Sequence, residues 1–134
     1  MNEENLSLEI LVVDDDPVLI KLLHSTLTEK GFKVTAMSNA ADGLQCAIKN
    51  HPGLIILDVM MPIINGYNFC RLLKNEEGKK NIPIILLTAR DQMDDVEIGM
   101  EMGAEAYLTK PVNMGELLRT IQTLTRLGSQ NIKK

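Results

Sequence analysis

Leu54-Ile55-Ile56-Leu57-Asp58, followed by Val59-Met60-Met61-Pro62-Ile63-Ile64-Asn65-Gly66, is the stretch whose reading decides how this chain is built. Four consecutive apolar residues ending in a carboxylate read as a strand buried on both faces, the kind found in parallel sheets. Such a strand delivers one acid, Asp58, to the rim of the sheet, where ligands of open α/β sheets bind. Pro62 and Gly66 mark the segment after it as a loop, and Asn65 is placed to cap a helix opening at about Gly66.

Upstream, the apolar run Glu9 to Val13 has the same buried character and ends in Asp14-Asp15-Asp16-Pro17. Asp16 before Pro17 predicts an N-cap with proline at the first helical position. That helix is expected to run to Lys30, with Leu19, Leu22, Leu23 and Leu27 inward and Gly31 as its stop. Phe32, Val34 and Ala36 alternate with polar residues as a second strand. A second helix follows from Ala40 to about Asn50, with Ala41, Leu44, Ala47 and Ile48 on one face, closed by Pro52-Gly53.

Downstream, a third helix carries Phe69, Leu72 and Leu73 before a polar loop from Glu76 to Asn81. A fourth strand spans Ile82 to Thr88, with Pro83 near its start, where a missing donor does least harm. A fourth helix is predicted over about Asp94 to Met102. It contains Gly99, which costs about 1 kcal/mol against alanine, and is therefore expected to be the least rigid. A fifth strand covers Ala106 to Thr109, then comes Lys110-Pro111. The last helix opens at an Asn113 cap, buries Leu117, Leu118, Ile121 and Leu124, and is expected to stop near Gly128. Five strands alternating with five helices predict an α/β fold with a doubly wound parallel sheet. Parallel strands joined by right-handed crossovers present their C-terminal ends along one rim. That rim collects Asp14, Asp15, Asp58, Thr88 and Lys110.

The composition narrows the function classes. A chain of 134 residues fits one domain with a real core. A net charge of −4 and 3% aromatic residues leave neither a basic surface nor a stacking platform, so direct nucleic-acid binding is not expected. Cys46 and Cys70 are far apart, without C-x-x-C spacing or clustered histidines; both are read as reduced thiols on helices. His24 and His51 read as structural or solvated side chains, since nothing nearby poises either. Met1 to Ser7 is polar, and the apolar run after it stops at three aspartates. A signal peptide and a membrane span are therefore not expected, and the cytoplasm is the default location.

Three carboxylates gathered on one rim repel one another, by about 4 kcal/mol for a pair 4 Å apart at an effective dielectric of 20. Something cationic belongs among them. All-oxygen ligands without His or Cys suit a hard divalent ion, Mg²⁺ or Mn²⁺. Lys110 adds a fixed positive charge, Thr88 a hydroxyl and Ala89 a backbone N–H. Together these make a place for a phosphoryl group, whose transfer needs mostly positioning and charge neutralisation. Aspartate is a covalent phosphoryl acceptor in other proteins, and Asp58, alone at its strand end, is the natural nucleophile.

Leu11-Val12-Val13-Asp14-Asp15-Asp16-Pro17, Leu57-Asp58-Val59-Met60-Met61-Pro62 with Gly66, Leu87-Thr88-Ala89, and Tyr107-Leu108-Thr109-Lys110-Pro111 together resemble the receiver domain of two-component response regulators. The resemblance covers about residues 9 to 127, leaving tails at 1–8 and 128–134. It implies a flavodoxin-like sheet in the order 2-1-3-4-5 and a cis peptide at Lys110-Pro111. It also implies roles. Asp58 accepts a phosphoryl group from a sensor histidine kinase or a histidine phosphotransfer protein. Asp15, Asp58 and the carbonyl of Met60 bind the metal, with Asp14 mostly through water. Lys110 pairs with the phosphoryl oxygens, and Thr88 and the Ala89 N–H hydrogen-bond to them. Met60 and Arg90, each two residues beyond a site residue, set the lifetime of the phosphoryl group. Met60 cannot orient a water by hydrogen bonding, which predicts a long lifetime.

For Tyr107 two readings stand: a half-buried aromatic on an edge strand, or the switch aromatic that moves inward when Thr88 is drawn to the phosphoryl group. Met93, Met100, Met102 and Met114 read as core filling or as an adaptable partner surface. On the resemblance, the chain is a signalling module that catalyses only its own aspartyl phosphorylation and dephosphorylation. Phosphorylation would shift the face formed by the 94–102 helix, the fifth strand and the last helix towards an output partner. That face also allows a monomer or a phosphorylation-dependent dimer. No output domain is recognisable after Leu127, so the output is expected in a partner protein or a longer chain. Two competing readings are a metal-dependent hydrolase, which would want an acid where Met60 stands, and a degenerate receiver that only binds partners.

Overall fold

The computed structural model describes residues 8–89 and 100–133, the last eight of these for the backbone alone. Its elements alternate along the chain: β1 (Glu9–Val13), α1 (Pro17–Glu29), β2 (Lys33–Met37), α2 (Ala40–Asn50), β3 (Leu54–Asp58), α3 (Gly66–Lys74), β4 (Ile84–Ala89), β5 (Ala106–Lys110) and α4 (Met114–Lys133). The five strands form one parallel sheet in the order β2-β1-β3-β4-β5. Strand order and fold class are those expected from the sequence. The predicted helix over 94–102 falls mostly outside the described residues, as do Met93, Gly99 and Arg90.

Strand alternation divides the core in two. Leu11, Val13, Ile55, Leu57, Ile84 and Leu86 point to one face and pack against Ala40 and Ala47 of α2 and Phe69, Cys70 and Leu73 of α3. Ile10, Val12, Leu54, Ile56, Ile85, Leu87 and Leu108 point to the other, against Leu23 and Leu27 of α1 and Leu117 and Ile121 of α4. Covering both faces is why β3 reads as an unbroken apolar run, with all five of its residues buried.

The predicted caps are present. Asp16 accepts the N–H of Val18, Asn65 that of Asn68 and Asn113 that of Glu116. Gly31 ends α1 with φ 101, a left-handed conformation that glycine adopts freely. Asn39, which caps α2 through the N–H of Asp42, and His51, which closes it at φ 51, complete the set.

Five expectations need correction. Leu22 is exposed, because the stripe of α1 that meets the sheet runs Leu19, Leu23, Leu27, and Leu22 shares the neighbouring outward stripe with Val18. Ala41 is exposed because Ala40, Gly43 and Ala47 take the inward positions of α2. Leu72 lies at the solvent edge of α3, whose inward residues are Phe69, Cys70 and Leu73. Finally α4 passes through Gly128 to Lys133, since a single glycine weakens a helix without ending it. The fourth strand also starts two residues late, at Ile84, because Pro83 lacks an N–H and the Ile82 N–H turns back to Lys79. Leu118 and Leu124 are half-buried beside the fully buried Leu117 and Ile121, as expected for α4.

At the rim opposite the strand C-termini, Lys74 ties three segments together. Its Nζ donates to the carbonyls of Lys80 and Ile82 and forms an ion pair with Glu105 at 3.0 Å. Glu105 in turn accepts the Ile84 N–H at 2.7 Å. This knot fixes where β4 and β5 begin, and so where Thr88 and Lys110 end up.

Candidate functional site

The C-terminal ends of β1, β3, β4 and β5 bring Asp14, Asp58, Thr88 and Lys110 to one rim. Register carries them there: Val13 pairs with Leu57, Asp58 with Leu87, and Ala89 with Lys110. Asp14, Asp58 and Thr88 are the buried polar side chains of the described structure, whereas Asp15 is exposed at the lip. Three acids and one lysine are thus drawn from the ends of three strands, β1, β3 and β5, to one place.

Lys110 Nζ lies 3.1 Å from Asp14 Oδ2 and 3.2 Å from Asp58 Oδ1, bridging the two buried carboxylates. Asp14 is held by its own loop, with Oδ1 accepting the Asp16 N–H at 2.9 Å and its N–H donating to the Met37 carbonyl at 3.2 Å. Its Oδ2 is fully buried and takes no aligned hydrogen bond; it faces the Lys110 charge instead. Asp58 Oδ1 accepts the Met60 N–H at 3.3 Å. The Thr88 hydroxyl donates to the Ala89 carbonyl at 3.3 Å, a long contact that leaves it able to turn to another acceptor.

Burial pushes the Asp58 carboxyl above its ordinary value, and the negative charge of Asp14 adds to this; Lys110 and the Met60 N–H oppose it without cancelling it. For Lys110, burial works to lower the pKa, but the charges of Asp58 and Asp14 outweigh it and raise the net value. The site therefore holds more negative charge than one lysine balances.

One oxygen from each of Asp14, Asp15 and Asp58 falls within a cluster 4.8 Å across. Carboxylate oxygens at that spacing, one of them a buried oxygen without an aligned donor, fit a hard divalent cation. Asp14, Asp15 and Asp58 are the side chains that would hold it.

The loop after Asp58 was only partly legible. Gly66 opens a helix as expected, and it also backs the end of β3: a Cβ there would stand 2.9 Å from the Asp58 carbonyl oxygen and from Val59 Cα. Its N–H donates to the Val59 carbonyl at 2.9 Å. Met60 is exposed, and Ile63 is almost wholly exposed at φ 72. Tyr107 is 38% exposed on the edge strand β5, and Lys110-Pro111 is cis. Arg90 lies outside the described residues. Cys70 is buried and its thiol is pushed up to about 12 by desolvation, so it is inert packing; Cys46 is also a free thiol.

Comparisons with known proteins agree with this fold. The family model described as "Response regulator receiver domain" matches residues 10–122. Among curated relatives, the response regulator PleD of Caulobacter vibrioides is 38% identical over 90% of this chain and 27% of its own length. The transcriptional regulatory protein GltR of Pseudomonas aeruginosa is 41% identical over 87% of this chain and 48% of its own. The chain therefore spans about a quarter to a half of these relatives. Among solved structures, a response regulator receiver domain protein from Clostridium thermocellum is 26% identical with a TM-score of 0.85, covering 92% of this chain and 98% of that one. The receiver domain of a sensor histidine kinase from Pseudomonas aeruginosa, solved with a magnesium ion coordinated in its active-site cleft, is 31% identical with a TM-score of 0.80, covering 87% and 96%.

Proposed function

The chain belongs to the response regulator receiver domain family, and on that premise we propose that it is a phosphorylation-controlled switch in which Asp58 accepts a phosphoryl group from a phosphohistidine donor. The observation that carries this reading is the pair of buried carboxylates, Asp14 and Asp58, bridged by Lys110 at 3.1 and 3.2 Å. A structural ion pair needs one acid per lysine; a phosphoryl site needs the surplus of oxygens to take a metal.

Asp58 Oδ1 is held by the Met60 N–H and Lys110, which leaves Oδ2 as the oxygen for the attack. A bond forms from that oxygen to phosphorus as the phosphorus–nitrogen bond of the donor breaks, and the imidazole leaves. Lys110 is then within reach of the incoming phosphoryl oxygens, and the Thr88 hydroxyl and Ala89 N–H lie at the end of the adjacent strand. A bound Mg²⁺, held by Asp14, Asp15, Asp58 and the Met60 carbonyl, would supply the remaining charge neutralisation; magnesium in the cleft of the Pseudomonas receiver supports that choice.

Thr88 and Tyr107 form the proposed switch. A hydroxyl drawn from the Ala89 carbonyl to a phosphoryl oxygen shifts the end of β4, and Tyr107 on β5 follows, altering the face that β5 and α4 present to an output partner. The donor is a sensor histidine kinase or a histidine phosphotransfer protein. No helix among the described residues is long and apolar enough to cross a membrane.

The test is intact-protein mass after incubation with an acyl phosphate, with and without Mg²⁺. One Mg²⁺-dependent phosphoryl adduct, absent in Asp58→Asn, is expected. No adduct in protein that binds Mg²⁺ would replace this reading with that of a partner-binding module lacking phosphoryl chemistry.

A further inference from the structure

Lys110 reaches the site on the strand of the sheet with the least to hold it. β5 is the last in the order, so its ladder runs to β4 alone, and Leu108 is its one buried residue, whereas all five residues of β3 are buried. A strand paired on one side, with one buried side chain, has its register weakly specified by its own sequence. Something outside the ladder has to fix it.

The fixture lies at the opposite rim. Glu105, just before β5, grips Ile84, the first residue of β4, at two points: its N–H donates to the Ile84 carbonyl at 3.0 Å, and its carboxylate accepts the Ile84 N–H at 2.7 Å. Lys74 aims that carboxylate. Its Nζ pairs with Glu105 at 3.0 Å and donates to the carbonyls of Lys80 and Ile82 at 3.0 and 2.6 Å, while its stem lies against Gly103. The Lys74 side chain is only 11% exposed, so its ammonium relies on these partners more than on water. Lys74 is the last residue of α3, and Gly66, the first, meets the Asp58 carbonyl and Val59 Cα. One helix about 12 Å long thus bears on the acceptor strand at one end and on the root of the lysine strand at the other.

We propose that Lys74, acting through Glu105, is the positioning residue for Lys110, a role that rests on the phosphoacceptor reading above. The clamp sets how far along the sheet β5 stands, and so where the Lys110 ammonium meets Asp58 at the far end of a strand about 16 Å long. Asp14, Asp15 and Asp58 come from β1 and β3, which the clamp does not touch. Its loss therefore separates two properties that general loosening would lose together: the cation is still held, and phosphoryl transfer slows.

The experiment uses the full chain with Lys74→Met and, as the milder change, Glu105→Gln, whose amide oxygen can still accept the Ile84 N–H. Each is studied well below its melting temperature. Three quantities are measured: the rate of adduct formation with an acyl phosphate at saturating Mg²⁺, the Mg²⁺ dissociation constant, and the backbone amide shifts of the metal-free protein. In Lys74→Met the rate should fall about tenfold, since a misplacement of about 1 Å can cost up to about 100-fold. Glu105→Gln should fall in the same direction by less. Mg²⁺ should bind no more weakly in either, and the amide shifts should move over Ala106 to Lys110 but not at Val13 or Leu57. Wild-type rates in both folded variants overturn the proposal, as does a Mg²⁺ affinity that falls in step with the rate. If wild-type protein forms no adduct, the phosphoacceptor reading fails instead, and the β5 amide shifts still report whether the clamp places Lys110.

Discussion

Asp58 carries its charge against its surroundings, and the sign of that conflict is measurable. Its carboxyl pKa is raised by burial first and by Asp14 second. A raised carboxyl contributes stability that is complete below the ordinary value of 3.8 and is lost as pH rises through the higher folded value. Metal-free Asp58→Asn should therefore melt above the wild type at neutral pH, with the difference shrinking as pH falls towards about 4; thermal melts in chelator across that range read it directly. Ile63 poses a different conflict. It is a β-branched side chain at φ 72, with the Ile64 N–H closing onto the Pro62 carbonyl at 2.8 Å, a tight turn of the strained hand. Being 99% exposed, it loses no packing when removed. Ile63→Gly should raise stability by about 1 kcal/mol by relieving that strain, and a lower melting temperature would refute it. The charged site residues were legible because strand ends are fixed by apolar runs. Ile63 was not, because its residue type argues against the conformation it adopts.

At the scale of elements, the decisive fit is between α3 and the end of β3. Gly66 lets the first turn of the helix press against the Asp58 carbonyl and Val59 Cα. A methyl group there has no flexible neighbour to displace, since both contacts are backbone. Gly66→Ala should cost about 1–3 kcal/mol and also weaken Mg²⁺ binding, because the strand end that carries Asp58 must move. Stability lost with Mg²⁺ affinity unchanged would mean that the helix gives way instead. The sequence placed the caps of α1, α3 and α4 correctly, because Asp16, Asn65 and Asn113 are local signals. It misjudged Leu22, Ala41 and Leu72 because each is one position, about 100° of rotation, from a residue that faces the sheet. Only the contact with the sheet decides which of two adjacent apolar stripes is buried, and no property of the helix alone contains that information.

For the whole molecule, the order β2-β1-β3-β4-β5 came from resemblance, while alternation of elements showed only that the sheet is parallel and covered on both faces. Its functional consequence is that β3 sits at the centre, with the Asp14 strand on one side and the Thr88 strand on the other. The acids converge only when the sheet is assembled, so a metal that binds them binds the folded state and not the open chain. Binding of that kind stabilises by linkage, about 2.7 kcal/mol at a Mg²⁺ concentration 100-fold above the dissociation constant, which for a domain of this length corresponds to a rise in melting temperature on the order of 10 °C. The rise should grow with Mg²⁺ concentration without a plateau, since each further tenfold adds the same linkage energy. It should collapse in Asp15→Asn and in Asp58→Asn, while Glu29→Gln, at the C-terminal end of α1 and so a whole helix away from the Asp14–Asp16 loop, should keep it. A Mg²⁺ effect that survives both site substitutions would place the ion elsewhere and remove the cation from the mechanism.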